Sequence, residues 1–293
     1  MNNASYFKQT KVYFGKISRI AIREKVWKFI VFAAIIGTIV AVVTGENMFE
    51  SFEQTKSGFF TLASACIWLG IFNSIQSICK EHDIIRSEYR QGMNLASYIT
   101  ANVMWQAVLC FVQTVLMFII CLIFGFFRHA PSDGVFLPAF MENFVTMFLL
   151  TFGSAVLGIM VSSLSGTPTT AMTIMPFVLI IQLVMSGVLF ELKGAADTFA
   201  NVTYSKWGMS AFAATADIND ETEYKIIVEL EDDKDPQNQM IAESLKESGN
   251  FEEVDEYKGT TENVLGSWFA CLVITVACAG ISILGLKIKN RDS

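Results

Sequence analysis

Charge is scarce in this chain. Only 17% of its 293 residues are Asp, Glu, Lys or Arg, where a soluble domain of this size carries about a quarter. The deficit is also concentrated, because residues 143–190 contain no charged side chain at all. A soluble core does not require such a stretch. A bilayer does, since a spanning helix takes roughly 20 apolar residues. With 53% hydrophobic residues and a mean hydropathy of +0.46, the composition is that of an integral membrane protein. The net charge of −7 offers no basic face to a nucleic acid.

Other absences narrow the field. There are two histidines, His82 and His129, and no HExxH motif. The six cysteines (Cys66, Cys79, Cys110, Cys121, Cys271 and Cys278) all lie in apolar segments. They read as small packing residues rather than a disulfide framework or zinc site. No GxxxxGK[ST] loop occurs, and Gly15-Lys16 lacks both the upstream glycine and a preceding strand. No span carries paired Asp or Gly-x-Ser-x-Gly, which argues against an intramembrane enzyme. Span interiors offer only neutral polar groups: Asn73, Gln76, Asn102, Gln106, Gln113 and Gln182. A proton relay or voltage sensor would place ionisable groups there. If the chain transports actively, its energy must come from another polypeptide. No cofactor or metal is expected on the chain itself.

The hydrophobic runs predict an all-α integral membrane fold of six spans, at 27–44, 58–79, 98–126, 138–163, 168–190 and 264–286. The first run is too long, and its charged preface too extended, for a cleaved signal. Between the fourth and fifth, Thr167 is placed to cap a helix with Pro168 in its first turn, and Pro176 is expected to kink the fifth. Basic residues crowd one set of short segments: Lys8 to Lys28 before and at the start of the first span, Lys80, Arg86 and Arg90 after the second, and Lys287, Lys289 and Arg291 at the end. The opposite short loops hold only Lys56 and Arg128. The positive-inside rule then puts both termini, including the tail 287–293, in the cytoplasm.

The segment Glu191–Val264 falls outside, and holds 18 acidic against 6 basic residues. Its first part, 191–218, is mildly apolar. The rest, 219–263, reads as an acidic water-exposed insert, with strand-like composition at Tyr224–Leu230 and helical spacing at Asn238–Ser248. The acidic run Glu229–Asp235 lacks the alternating oxygen ligands and glycine of a calcium loop. Asn201-Val-Thr203 is a formal glycosylation sequon.

Two cytoplasmic segments look built to meet a partner. Residues 1–26 place Phe7, Tyr13, Phe14, Ile17, Ile20 and Ala21 on one helical face, with Lys8, Lys11, Arg19 and Arg23 largely opposite, as in a helix lying along lipid headgroups. Residues 80–93 carry charges of both signs around Ile84, Ile85 and Tyr89 at helical spacing. A bare connection would be shorter.

In that loop Glu81, Arg86, Glu88, Tyr89, Gly92, Ser97 and Tyr98 follow an E-x(6)-E-[YR]-x-x-G…SY pattern, and SGVLFEL (186–192) and SKWGMSAF (205–212) come later. In motif order and topology the chain resembles the permease domains of type-2 ABC exporters, particularly the white-like (ABCG) group of lipid and drug exporters. The resemblance implies an elbow helix before the first span. It implies a coupling helix docking on an ABC ATPase subunit through Glu81, Asp83, Ile84, Ile85, Arg86, Glu88, Tyr89 and Arg90, with ATP and magnesium held by that partner. A second permease copy or paralogue would complete a two-fold pathway. Ala65, Cys66, Leu69, Leu179 and Leu183 would line it, Val188 and Leu189 would form an apolar gate, and 191–218 would be a re-entrant region. Alternating access would then export an amphipathic or hydrophobic cargo across a plasma membrane, with a bacterial source. The chain departs from the family in carrying no fused nucleotide-binding domain and no outer-loop cysteines, and in its acidic insert. Two alternatives are a membrane sensor or scaffold whose insert binds a ligand, and a stand-alone secondary carrier.

Overall fold

The computed structural model describes residues 5–45, 48–49, 52–128, 134–190, 192–218 and 254–291. The strand-like and helical stretches expected within 219–253, the run Glu229–Asp235, Glu191 and His129 lie outside the described residues. Ten helices account for most of the rest: α1 (Tyr6–Arg23), α2 (Trp27–Thr44), α3 (Phe52–Ser74), α4 (His82–Arg90), α5 (Leu95–Ile123), α6 (Ala139–Leu164), α7 (Pro168–Val184), α8 (Ala195–Ala200), α9 (Tyr204–Ala216) and α10 (Thr261–Arg291). No β-strand occurs among the described residues.

Among the described residues, five helical stretches are long and apolar enough to cross a membrane: Trp27–Thr44, Gln54–Arg90, Leu95–Ile123, Ala139–Leu164 and Thr261–Asn290. In the second, α3 gives way after Ser74 to turns and a 3-10 turn, Cys79–Glu81, before α4. The shorter apolar helix α7 has 17 residues, or about 26 Å of rise. Thr167 accepts a hydrogen bond from the Thr170 N–H (3.2 Å), and Pro168 opens the helix. The helical run expected to reach Phe190 stops at Val184. Ser186 donates to the Leu183 carbonyl (2.8 Å) and accepts from the Val188 N–H (3.3 Å), and Gly187 turns through φ +75°. That local competition for backbone groups ends the helix.

α6 is the hub, with α3, α10, α5 and α9 packed around it. The α3–α6 contact is close because small residues line it. A Cβ on Gly70 would stand 2.2 Å from the Thr151 carbonyl oxygen, and one on Gly158 would stand 2.1 Å from Ser74 Oγ. Ser74 Oγ also donates to the Ala155 carbonyl at 2.6 Å. Small residues that admit backbone approach, with hydroxyls bridging helices, are how lipid-embedded helices hold together. The six cysteines are buried free thiols within this packing.

At the end of the bundle assigned to the outside, Glu142 is completely buried. Its carboxylate accepts the Val135, Phe136 and Leu137 N–H groups at 3.2, 2.9 and 2.8 Å, so an acidic residue in the first turn of α6 caps the chain that feeds it. Helix α9 is almost wholly buried between α6, α10 and α3. Gln182 of α7 accepts the Tyr204 and Ser205 N–H groups (3.0 and 3.2 Å) that would otherwise be orphaned at the start of α9.

Candidate coupling and translocation site

The segments that the resemblance reads as elbow and coupling helices come together at the basic end of the bundle. α1 lies against α5. The Tyr6 and Thr100 hydroxyls are 2.7 Å apart, Gln9 Oε1 accepts the Asn94 N–H at 2.8 Å, and the Tyr13 ring meets Tyr98 edge-on at 5.6 Å. Phe7, expected on the same apolar face, points away and is 80% exposed. Between α1 and α2 the chain turns sharply at Lys25, φ +63°, with the Val26 N–H reaching back to the Ala21 carbonyl at 3.0 Å. This is a helix stop of the type that glycine usually fills.

α4 is held on its inner side and free on its outer side. Ile85 is completely buried among Ile78, Met93, Leu95, Tyr98, Ile99, Ile159 and Leu286, with Tyr89 packed against the same cluster. Glu88 accepts from the Lys16 ammonium of α1 at 2.7 Å, and the Tyr98 hydroxyl donates to Glu81 Oε2 at 3.0 Å. Ile84, which the spacing put on one ridge with Ile85 and Tyr89, is instead 49% exposed, and it shares the outer surface with Asp83, Ser87 and Arg90. Arg86 is half-buried between the two faces.

Ionisation here follows burial and neighbours. Burial, and then the adjacent Glu88 carboxylate, pushes the Tyr13 phenol up to about 12. His82 is held below its usual value, first by burial and then by the Lys289 cation. Its Nε2 is buried without a partner, and Nδ1 stands 3.9 Å from Asp83 Oδ1. Lys289 itself donates to the Ser165 carbonyl at 2.5 Å, tying the end of α10 to the α6–α7 connection.

The residues that the resemblance assigns to the pathway gather in one apolar core. Ala65, Cys66 and Leu69 of α3 and Leu179 of α7 are buried there, Leu183 is half-buried, and Val188 packs on the core from outside it. Leu189 is 51% exposed. All of these contacts are made within one chain.

The neutral polar groups of the spans sort into two sets. Gln182 serves α9. Asn73, Gln106 and Gln113 link α3, α5 and α2: Asn73 Nδ2 donates to Gln113 Oε1 at 2.5 Å, Gln113 Nε2 donates to the Phe29 carbonyl at 2.9 Å, and Gln106 Nε2 donates to the Asn73 carbonyl at 3.4 Å, while Asn102 donates to the Tyr98 carbonyl of its own helix. Sequence spacing did not reveal a second charged cluster, at the end of the bundle assigned to the outside. The Lys206 ammonium, 7% exposed, meets Asp197 at 2.7 Å and Glu256 at 3.1 Å. Burial disfavours its charge, yet the two carboxylates outweigh burial and its pKa is raised. Nearby, Asp217 Oδ1 accepts the Gly259 N–H (3.0 Å) and Ser210 Oγ donates to the Glu256 carbonyl (2.9 Å). The two chain ends that flank 219–253 are thereby fastened to each other.

Residues 16–216 match the ABC-2 type transporter family, and the chain belongs to that family. It is thus a multi-pass ABC transporter permease. The "ABC transporter ATP-binding/permease protein Rv1747" of Mycobacterium tuberculosis is 28% identical over 156 residues, 52% of this chain. The chain spans 18% of that relative's length.

Proposed function

We propose that this chain is the permease subunit of an ATP-driven exporter of the white-like type, powered by a separate ABC ATPase that holds ATP and magnesium. In this reading six spans, α7 included, place both termini in a bacterial cytoplasm. Two copies, or this chain and a paralogue, meet about a two-fold axis. The observation that carries the proposal is the two-sidedness of α4. Its inner face is locked to α1, α5 and α10 through Ile85, Lys16–Glu88 and Glu81–Tyr98, while Asp83, Ile84, Ser87 and Arg90 face outward. A helix held in that way transmits a push on its outer face into the bundle. Nucleotide binding shifts the transporter between inward and outward states only through contacts that differ between them, and the outer face of α4 is where those contacts are made.

The packed core around Ala65, Cys66, Leu69, Leu179 and Leu183 is then the closed form of the route. It opens where α7, the sparsely packed helix, moves relative to α3 or meets a second chain, with Val188 and Leu189 as its outer apolar gate. Amphipathic or hydrophobic molecules suit such a lining. The test uses proteoliposomes that contain the chain and its cognate ATPase. Ile84→Asp is expected to leave folding and basal ATP hydrolysis in place while cargo transport falls at least tenfold. Transport by the chain alone, driven by an ion gradient without nucleotide, contradicts the reading.

A further inference from the structure

Helix α1 uses its apolar face for contact with the rest of the protein. Tyr13 meets Tyr98 and Phe14 meets Trp105 of α5, at ring separations of 5.6 and 6.2 Å, and Ile17 packs on the cluster that holds Ile85. The opposite side is left open. Lys8, Lys11, Arg19 and Arg23 are exposed there, and so are Val12 and Ile22. Of the cations on α1, only Lys16 meets a carboxylate among the described residues. The helix itself contains no Asp or Glu.

The cations surround a gap. With about 3.6 residues per turn, Lys11, Gly15, Lys8 and Arg19 fall within roughly 80° of one another around the axis, Gly15 in the middle. A Cβ on Gly15 would meet only the Arg19 guanidinium, at 3.8 Å. Arg19 leans back over the glycine, its Nε donating to the Gly15 carbonyl at 2.9 Å. The result is a notch floored by bare backbone, with a guanidinium on one side and with Lys11 one turn and Lys8 two turns towards the N-terminus.

The depth of the notch is set by the chain. Only residues 24–26 separate α1 from α2, the first helix long and apolar enough to cross a bilayer. Trp27, which opens α2, is exposed, as suits a ring at a membrane–water boundary. An acidic protein surface would call for cations alone. Here Val12 and Ile22 are interleaved with the cations, which matches a surface where phosphate and acyl carbon lie close together in depth. A zwitterionic headgroup would also bring an ammonium, and this face offers no carboxylate to receive it.

We infer that the notch at Gly15 binds the headgroup phosphate of an anionic phospholipid from the leaflet that borders the basic end of the bundle. Arg19 and Lys11 hold the phosphate, Lys8 adds to the positive field, and Val12 and Ile22 meet the acyl carbons. Lys16, turned inward onto Glu88, takes no part. The site is built within one chain and rests on neither the ATPase nor the two-fold route.

The probe is phosphatidylglycerol, titrated into the purified full-length chain in detergent and read by native mass spectrometry. Phosphatidylcholine with the same acyl chains and the deacylated headgroup glycerophosphoglycerol are the comparison ligands. Phosphatidylglycerol is expected to bind one-to-one and at least tenfold tighter than phosphatidylcholine, while glycerophosphoglycerol does not displace it. Combining Lys11→Gln with Arg19→Gln should weaken phosphatidylglycerol at least tenfold, since each cation near an anionic lipid surface is worth roughly fivefold. Gly15→Leu keeps every charge, favours the helix and fills the notch, so it should weaken phosphatidylglycerol several-fold without lowering the thermal midpoint. Equal binding of the two lipids overturns the inference, as does unchanged affinity in Gly15→Leu, which would reduce the face to diffuse charge. Displacement by glycerophosphoglycerol overturns it in favour of a soluble anion. Lipid binding that survives the double variant while the co-purifying ATPase is lost overturns it in favour of a protein partner. The lipid titrations contain no ATPase, so their failure leaves the exporter reading standing.

Discussion

Lys206 shows how one side chain can hold together the irregular region around α8 and α9. An isolated buried ammonium is costly, but here two carboxylates come from opposite sides of the break in the described chain: Asp197 in α8 and Glu256 just before α10. Because its pKa is raised in the folded protein, the stabilisation is fully present below the unfolded value near 10.4 and is lost only as pH rises through the higher folded value. It therefore operates across the physiological range. Lys206→Met is expected to lower the thermal midpoint, at a cost of about 1–2 kcal/mol, since hydrogen bonds to charged groups contribute roughly 1.5–3 and both carboxylates are partly solvated. Asp197→Asn should lower it less, because Glu256 remains; equal losses in a detergent melt would contradict the shared clamp. At the opposite end His82 works with the other sign. Its folded pKa is depressed, so its contribution is complete above the unfolded value of about 6.5 and disappears as pH falls through the folded one. The fall in thermal midpoint between about pH 7.5 and pH 5.5 should be smaller in His82→Gln than in the parent. Parallel pH profiles would exclude that role.

At the scale of elements, an ion pair joins α1 to α4 at the basic end. Lys16 and Glu88 are 72 residues apart in sequence and meet at 2.7 Å, both half-buried. Glu88→Lys alone sets two cations against each other and should reduce nucleotide-driven transport several-fold. The exchanged pair Lys16→Glu with Glu88→Lys should restore most of it, and absence of rescue would show that the pair does not transmit. Much at this scale was readable in the chain: the amphipathic character of α1, the Thr167–Pro168 start of α7 and the charged helix after α3 all follow from local spacing. What spacing could not supply was tertiary. Ile84 and Ile85 are equally apolar, and only packing against Met93, Leu95 and Leu286 decides that Ile85 turns inward. The early stop of α7 comes from Ser186 and Gly187 acting against an apolar run that reads as continuous helix. Gln182, Asn73 and Gln113 look alike in sequence, yet one caps α9 and the other two pair across α3 and α5.

At the scale of the whole molecule, two ends do different work around one hub. α6 carries α3, α5, α9 and α10. One end is fastened by Glu142, Gln182 and Lys206, while the basic end gathers α1, α4 and the last turns of α10 into a unit that exposes Asp83, Ile84, Ser87 and Arg90. Membrane class was legible because a bilayer imposes its thickness on any sequence that crosses it. The burial of the apolar face of α1 against protein was not, since Tyr13 and Phe14 meet Tyr98 and Trp105 only when α1 folds back on α5. The exporter reading requires that α4 be gripped by another polypeptide, and the stoichiometry of the ABC ATPase that purifies with the chain measures this most directly. One ATPase subunit per permease chain is expected for the parent, and loss of most of it when Asp83→Lys and Arg90→Glu are combined on the exposed face, with the thermal midpoint unchanged. Full retention of the ATPase by that double variant would contradict the account.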